Sequence, residues 1–108
     1  MEIQTPFYHQ VYFKLTDRRA STRQMFVDHI KKLLSPKTHV GMSKLKIGLR
    51  AVEMQRPVND LEFDVVMDME FESFDAYLDY AKHPDHDRWV TEVGSMSTHR
   101  RVFNSFQT

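Results

Sequence analysis

The segment YAKHPDHD, residues 80–87, contains one tyrosine, two histidines and two aspartates within eight positions. Tyr80 stands three residues before His83, and Pro84 separates His83 from His86. An imidazole titrates near neutral pH and can take or return a proton, and a phenol hydroxyl can stabilise a developing oxyanion. The same segment could equally hold a metal ion or simply connect two helices, so its position in the fold must decide.

The elements before this segment follow from hydrophobic periodicity. Residues 7–15 alternate strictly and predict a strand, in which Phe7, His9, Val11, Phe13 and Leu15 share one face. Ser21, with Gln24 three residues on, resembles a capping box at the start of a helix that Ser35-Pro36 ends. The residues predicted to form the apolar stripe of this helix are Met25, Phe26, His29, Ile30, Leu33 and Leu34.

Residues 43–52 and 61–71 alternate in the same way and predict two further strands, joined as an antiparallel hairpin by the 53–60 loop. The polar face of the first is basic and that of the second is acidic, so opposite charges would lie across from each other. The inward residues predicted for the later strand are Leu61, Phe63, Val65, Met67, Met69 and Phe71.

The remaining elements surround the histidines. Ser73 predicts the cap of a second helix, which ends near His83 because a residue before proline is disfavoured in helical conformation. Pro84 suits the first turn of a short third helix that Gly94 ends, and residues 99–106 predict a last strand. The order β-α-β-β-α-(α)-β is that of an α+β, ferredoxin-like fold, a four-stranded antiparallel sheet with its helices on one face.

The other face of this sheet would be bare. It is too mixed for a core and too aromatic along the first strand for an ordinary solvated surface, so we expect a second copy to cover it through a two-fold axis. The residues predicted on this bare face are Tyr8, Tyr12, Lys14, Lys44, Lys46, Arg50, Glu62, Asp64, Val66, Asp68 and Glu70. Two solvated faces of balanced charge are the alternative interpretation.

Composition excludes several classes of function. The chain has 108 residues, equal numbers of basic and acidic residues and no cysteine. We therefore expect one domain over residues 1–108, no nucleic-acid or membrane partner and a cytoplasmic location. The sequence has no Gly-rich phosphate loop and no nucleophile elbow, and it predicts no cofactor.

Three stretches resemble the stress-responsive A/B barrel, or Dabb, family. They are the first strand with His9, Val11 and the FKL triplet 13–15, the helix at 71–80, and the HPxH motif of residues 83–86 followed by Trp89. The resemblance covers nearly the whole chain, and HPxH with the strand-1 histidine is its most specific part. It implies a homodimeric α+β barrel, and a biochemical role that differs among members.

One plant member is a cofactor-independent polyketide (olivetolic acid) cyclase, which closes a ring by an aldol-type reaction. The chain is similar to it at His9, Tyr80 and His86. A further cavity histidine of that cyclase falls near Val65 here, a departure that puts the same substrate in doubt.

The alternation of the first strand turns His9 toward the helices, on the side where the HPDH segment lies. This side can hold a pocket for a small, largely apolar molecule. In the enzymatic hypothesis His86 is the base, Tyr80 donates to the oxyanion and His9 orients the substrate. The residues predicted to line the pocket are Val11, Phe13, Phe63, Val65, Met67 and Trp89.

The alternative is structural. His83 and His86 would tie the helix junction together, Asp85 and Asp87 would be helix N-terminal charges, and His9 would be a hydrogen-bonded core residue. A metal site built on the bend is disfavoured because Pro84 breaks the helical phase and no third ligand has a recognised spacing, so the sequence predicts none. His29 and His39 are expected on the surface or beside a helix, and His99 in a small basic patch.

Overall fold

The computed structural model describes residues 5–108, which form one four-stranded antiparallel sheet in the order β2-β3-β1-β4. The predicted order of elements is confirmed. None of the helices in this described part is long and apolar enough to span a lipid bilayer. The elements are β1 (Phe7–Leu15), α1 (Ala20–Leu33), β2 (Met42–Leu49), β3 (Val65–Phe71), α2 (Phe74–Lys82), α3 (Pro84–Val93), a 3₁₀ turn (Gly94–Met96) and β4 (Ser97–Phe106).

The core lies beneath the two central strands. Every second residue of β1 and β3 is buried, because these strands have neighbours on both sides and helices over one face. The edge strands β2 and β4 are mostly exposed. On the opposite face Lys44 pairs with Glu70 and Lys46 with Asp68, which confirms the predicted register of opposite charges.

The start of α1 differs from the prediction. The helix begins at Ala20, and its N-cap residue Arg19 offers no side-chain cap. Asp17 accepts hydrogen bonds from the Arg19 backbone N–H and the Thr22 hydroxyl instead, so the predicted Ser21 capping box is wrong. Met25, predicted in the apolar stripe, is half-exposed, because the buried positions at that turn go to its two successors.

The start of β3 also differs from the prediction. As a result, Phe63 and Asp64 lie on the faces of the sheet opposite to those predicted. The strand begins at Val65, not at residue 61, and the preceding residues do not continue its alternation. Asp64, predicted on the bare face, is buried with 2% of its surface exposed. Its carboxylate accepts hydrogen bonds from the Leu15 backbone N–H and from Nε of Arg18, both at 2.9 Å. Because the alternation breaks here, the Asp64 carboxylate is buried and hydrogen-bonded. In a regular strand it would have faced outward.

The bend at residues 82–85 follows the sequence prediction. The Ser73 side chain accepts the Ala76 backbone N–H and caps α2, which ends at Lys82. His83 then caps α3, because its Nδ1 accepts the backbone N–H of Asp85 at 3.0 Å. His83 therefore has the junction role that the structural alternative assigned to it.

The loop between α1 and β2 approaches the start of α2 closely. Gly41 has a φ of +93°, a conformation that favours glycine. A Cβ at Gly41 would lie 2.7 Å from the Cβ of Ala76. The Gly41 carbonyl also accepts the Glu72 backbone N–H at 2.8 Å. This contact fixes the loop 34–41 beside the helix that carries Tyr80.

Candidate functional site

His9 lies on the buried face of β1 and points toward the helical layer, as the alternation predicts. Its ring centroid is 4.9 Å from that of Tyr77 on α2. Nδ1 of His9 lies 2.6 Å from Oδ1 of Asn104 on the neighbouring strand β4. Since a carbonyl oxygen only accepts, this hydrogen bond places the proton of His9 on Nδ1 and its lone pair on Nε2.

Tyr80 brings the predicted catalytic residues together. It lies in the last turn of α2, and its ring packs edge-on against His86 of α3 at a centroid distance of 4.9 Å. The ring of His9 is 6.2 Å away on the other side. A buried phenol with an imidazole on each side is therefore built from β1, α2 and α3.

His39 is the residue that sequence reasoning missed. It was expected on the surface or beside a helix, yet only 3% of it is exposed. Its ring packs against Tyr80 at 5.0 Å and against His83 at 4.5 Å, and its Nε2 donates to the Leu33 carbonyl at 2.9 Å. Hydrophobic periodicity does not indicate where the side chain of a loop residue points. The one sequence signal for the burial of His39 was the nearby Gly41, where the chain turns back toward α2.

Burial moves the pKa values of this cluster in opposite directions. It lowers the pKa of His9, an effect that the Asn104 hydrogen bond opposes and the nearby His86 reinforces. Burial likewise lowers the pKa of His86, against the opposing charge of Asp87. Burial raises the pKa of Tyr80 well above its ordinary value. At neutral pH the imidazoles are therefore neutral bases and the phenol keeps its proton, the division of roles that acid–base chemistry requires.

Two buried polar atoms beside Tyr80, Nδ1 of His86 and Nδ1 of His39, have no hydrogen-bond partner among residues 5–108. Buried polar groups in folded proteins are nearly always paired, so unpaired ones need an explanation. These unpaired atoms mark the cluster as a candidate binding site.

The other predicted pocket residues divide between the core and the far face. Val11, Val65 and Met67 lie in the hydrophobic core. The rings of Phe13 and Phe26 enclose Trp89 edge-on, at 5.9 and 5.1 Å. Placing Phe63 in this pocket was wrong: where the alternation of β3 breaks, its ring turns to the other face of the sheet. The rings that it meets there are Tyr12 at 6.2 Å and His99 at 5.5 Å.

The helix-facing side of β4 is an open strip beside His9. Val102, Asn104 and Phe106 face the helices, since their partners on β1 are Val11, His9 and Phe7. The helices do not cover this edge strand, and Val102 and Phe106 are 55% and 56% exposed. We call these three residues the β4 strip. It presents two apolar surfaces on either side of the amide that holds His9.

A concavity of about 490 Å³ lies near one end of the sheet, apart from the ring cluster of His9, Tyr80 and His86. Tyr12 and Phe63 meet there on the bare face. Its lining is mainly apolar, with charged groups at its edge. The residues that line it are Tyr12, Leu49, Arg50, Asp60, Phe63, Asp64, Val65, Val66, Arg101, Val102 and Phe103.

The sequence profile of the Stress responsive A/B Barrel Domain (Dabb) matches residues 7–106, and the chain belongs to this family. A Dabb family protein with a ferredoxin-like fold from Mesorhizobium loti is similar in structure, with a TM-score of 0.78, 23% identity, and coverage of 97% of this chain and 99% of that one. No curated protein matches the sequence.

Two further solved structures share this fold, one of unknown function and one a lyase. A dimeric ferredoxin-like protein of unknown function from Thermobifida fusca has a TM-score of 0.76 and 15% identity, over 99% of this chain and 95% of that one. The hydroxynitrile lyase of Passiflora edulis has a TM-score of 0.74 and 14% identity, over 98% and 96%. At these identities the likeness establishes the fold alone, and the activity must be argued from this chain's own residues.

Proposed function

We propose that this protein binds a small, largely apolar carbonyl compound on the helix-facing side of the sheet, between the β4 strip and the ring cluster of His9, Tyr80 and His86. The observation that carries the proposal is the ring of Tyr80, a buried phenol that keeps its proton at neutral pH and packs between the imidazoles of His9 and His86. A buried phenol in this state can donate to one acceptor oxygen on a ligand.

The surroundings of that hydroxyl indicate the ligand's character. Val102 and Phe106 offer apolar surface beside the cluster, and Phe7 and Phe74 pack against Phe106 at ring distances of 5.2 and 5.9 Å. An apolar surface with few polar groups is typical of small-molecule sites. An aromatic or polyketide-like molecule that presents a carbonyl oxygen to Tyr80 fits this combination better than a highly charged metabolite does.

The second candidate is catalysis, as a cofactor-independent lyase or cyclase. The observation that favours it is the opposite displacement of the pKa values, which leaves neutral imidazoles beside a protonated phenol. His86 would take a proton from the carbon next to a carbonyl, while Tyr80 stabilises the enolate oxygen. The enolate carbon would then form a bond to a second carbonyl carbon, whose alkoxide recovers the proton from His86. His9, fixed by Asn104, would orient the substrate.

We also propose that the protein is a homodimer that buries the bare face. The support from this chain is the face itself: Phe103 is 61% exposed there, beside Tyr12 and the concavity that both residues line. Two solved proteins of unknown function with a ferredoxin-like fold are described as dimeric, in agreement with this arrangement. A second copy would remove this apolar surface from water.

Binding is tested by titrating small aromatic and polyketide-like carbonyl compounds, with aromatic hydroxynitriles included because a lyase of that type shares the fold. Chemical shifts of the imidazole and Trp89 signals report binding. Tyr80→Phe and His86→Gln should weaken binding about tenfold, while His99→Gln, on the far face, should not. Equal affinity in all variants would overturn the site. Turnover that is lost in His86→Gln at a ligand concentration that saturates the variant would establish the catalytic candidate.

The dimer is tested by light scattering at micromolar concentration. The wild-type chain should have twice the monomer mass, and Phe103→Glu should reduce it. Val40→Glu is the matched control, because Val40 is 96% exposed and lies in the loop between α1 and β2. A monomeric wild-type protein would contradict the proposal.

A further inference from the structure

We infer that His39, His83 and Asp85 form a binding site for a divalent transition-metal ion of the zinc class. One potential ligand atom from each residue lies within 4.8 Å of the other two. Two imidazole nitrogens and one carboxylate oxygen are a ligand set that zinc accepts, with a fourth position left for water. The site is independent of the ligand proposed above and adjoins it through the ring of Tyr80.

The orientation of His39 is the strongest support. Its Nε2 donates to the Leu33 carbonyl, so the lone pair of the neutral ring lies on Nδ1. That Nδ1 is buried and has no hydrogen-bond partner in the part of the chain that the structure describes. Metal-binding histidines characteristically donate their other N–H to a carbonyl or carboxylate group, which fixes the ring and its tautomer. His39 is held in this way, with an unpaired lone pair in a residue that is almost fully buried.

The second and third ligands are placed by the bend. His83 stands between α2 and α3, and Asp85 is in the first turn of α3. Tetrahedral ligands of zinc lie about 3.4 Å from one another, so the groups must approach further than they do here. His83 and Asp85 are only partly buried, and rotation of their side chains can bring them closer.

Metal binding at this site would compete with the capping of α3 by His83. Nδ1 of His83 now accepts the Asp85 backbone N–H. Ligation through Nδ1 requires this hydrogen bond to open, and ligation through Nε2 requires the proton to move to Nδ1, which opens it as well. The ion would therefore replace one cap with a bridge between the loop 34–41 and the start of α3.

The sequence concealed this site because its first ligand is more than 40 residues from the other two. The expectation of no metal site considered only the ligands of the bend, and there the phase break at Pro84 counted against it. The structure pairs His83 with His39 and not with His86, whose ring lies against Tyr80 instead.

The test is calorimetric titration of chelator-treated full-length protein with Zn²⁺, together with the visible absorption spectrum after Co²⁺ addition. We expect one ion per chain and cobalt bands of a tetrahedral site. His39→Ala and Asp85→Ala should each weaken Zn²⁺ binding tenfold or more. Asp85→Ala keeps the test valid if loss of the buried His39 impairs folding. Affinity should also fall as the pH is lowered, because protons compete for the imidazoles.

Matched controls are His29→Ala and His99→Ala, each of which removes an imidazole that faces a glutamate elsewhere, at 4.0 and 3.1 Å. Both variants should bind Zn²⁺ like the wild-type protein. The inference is overturned if the wild-type chain takes up no ion, or if uptake survives both Asp85→Ala and His39→Ala. It is also overturned if NMR at saturating Zn²⁺ finds His83 Nε2–H donating to His39 Nδ1, since that bond would occupy the lone pair.

Discussion

Asp64 and the histidine cluster are both buried and polar, but they differ in how their hydrogen bonds are satisfied. The Asp64 carboxylate accepts a backbone N–H from Leu15 and the guanidinium of Arg18, which also donates to the carbonyls of Leu61 and Glu62. In the cluster, Nδ1 of His39 and Nδ1 of His86 have no partner among the described residues. A satisfied buried group stabilises the fold, whereas an unpaired one needs an explanation, and the proposed ligand and metal ion would supply it.

The two regions also differ in the kind of interaction that their polar groups offer. Asp64 fixes the segment before β3 through charge-assisted hydrogen bonds, which are among the stronger ones in proteins. The imidazoles are kept uncharged by burial and therefore contribute lone pairs instead of charge. Substitutions at the first region should lower stability, and substitutions at the second should mainly change binding.

The largest effect is expected from Asp64→Asn. The variant keeps the shape of the side chain but removes the charge that Arg18 pairs with, and it sets an amide against the Leu15 N–H. We expect it to lower the free energy of unfolding by about 2–3 kcal/mol, measured by urea denaturation. Glu92→Gln, which removes an exposed pair with Arg88, should cost less than about 0.5 kcal/mol. Similar costs for both variants would contradict the assignment of Asp64.

The cluster should make stability depend on pH in weak acid. Burial lowers the pKa values of His9, His39 and His86 from the ordinary 6.5, so between the two values the unfolded chain binds protons that the folded chain does not. The stabilising effect is complete above about pH 6.5 and is lost as the pH falls through the folded-state values. Each group can contribute a slope of at most about 1.4 kcal/mol per pH unit.

Urea denaturation between about pH 7 and pH 5 measures this slope, above the range in which most carboxylates titrate. The variant His39→Asn should have a shallower slope than the wild-type protein, whatever its absolute stability. A wild-type profile that is flat across this range would mean that the imidazoles are not held neutral.

Tyr80→Phe separates stability from binding. The change removes only the hydroxyl and leaves the ring contacts with Phe71 and His86 in place. We expect the free energy of unfolding to be unchanged or slightly raised, while ligand affinity falls about tenfold, or about 1.4 kcal/mol. A clear loss of stability would show that the hydroxyl has a structural partner after all.

His83→Ala and His86→Ala compare the two histidines of the bend. His83→Ala removes the cap of α3 and should cost about 1 kcal/mol in thermal or urea denaturation. His86→Ala breaks no hydrogen bond with the described residues and should cost less. If His86→Ala were the more damaging change, His86 would be a structural residue and the proposed base would have to be sought elsewhere.

The smallest effect is expected on the bare face. Lys46→Ala removes one member of the cross-strand charge pair with Asp68, and it should change monomer stability by less than about 0.5 kcal/mol because the lysine is exposed. Denaturation at a concentration low enough to favour the monomer measures it. A larger loss would assign the bare face a role within the chain itself.

Much of the fold could be predicted from periodicity and punctuation. The alternation of β1 placed His9 on the helix side, and Ser73, His83-Pro84 and Gly94 marked helix ends that the structure confirms. These predictions hold because they depend on local backbone preferences and on one repeated side-chain pattern. The meeting of His9, Tyr80 and His86 followed from the same parity argument together with the family resemblance.

The errors occur where long-range contacts override local pattern. The start of α1 is the exception, because its capping residue Asp17 accepts from Thr22, only five residues away. The break before β3 is set by Asp64 and its guanidinium partner from the β1–α1 loop. His39 is buried because a loop folds back onto α2, which no period can indicate. Such contacts join residues that are far apart in the sequence, and the pattern of residues along the chain does not indicate which of them will meet.

Gly41 allows the loop 34–41 to pack closely against helix α2. Any larger residue there would collide with the Cβ of Ala76, and one way to relieve the collision is for α2 to slide outward. Such a slide would carry the phenol ring away from the imidazoles on either side of it. The substitution Gly41→Ala could therefore separate Tyr80 from His9 and His86 without changing any of these three residues.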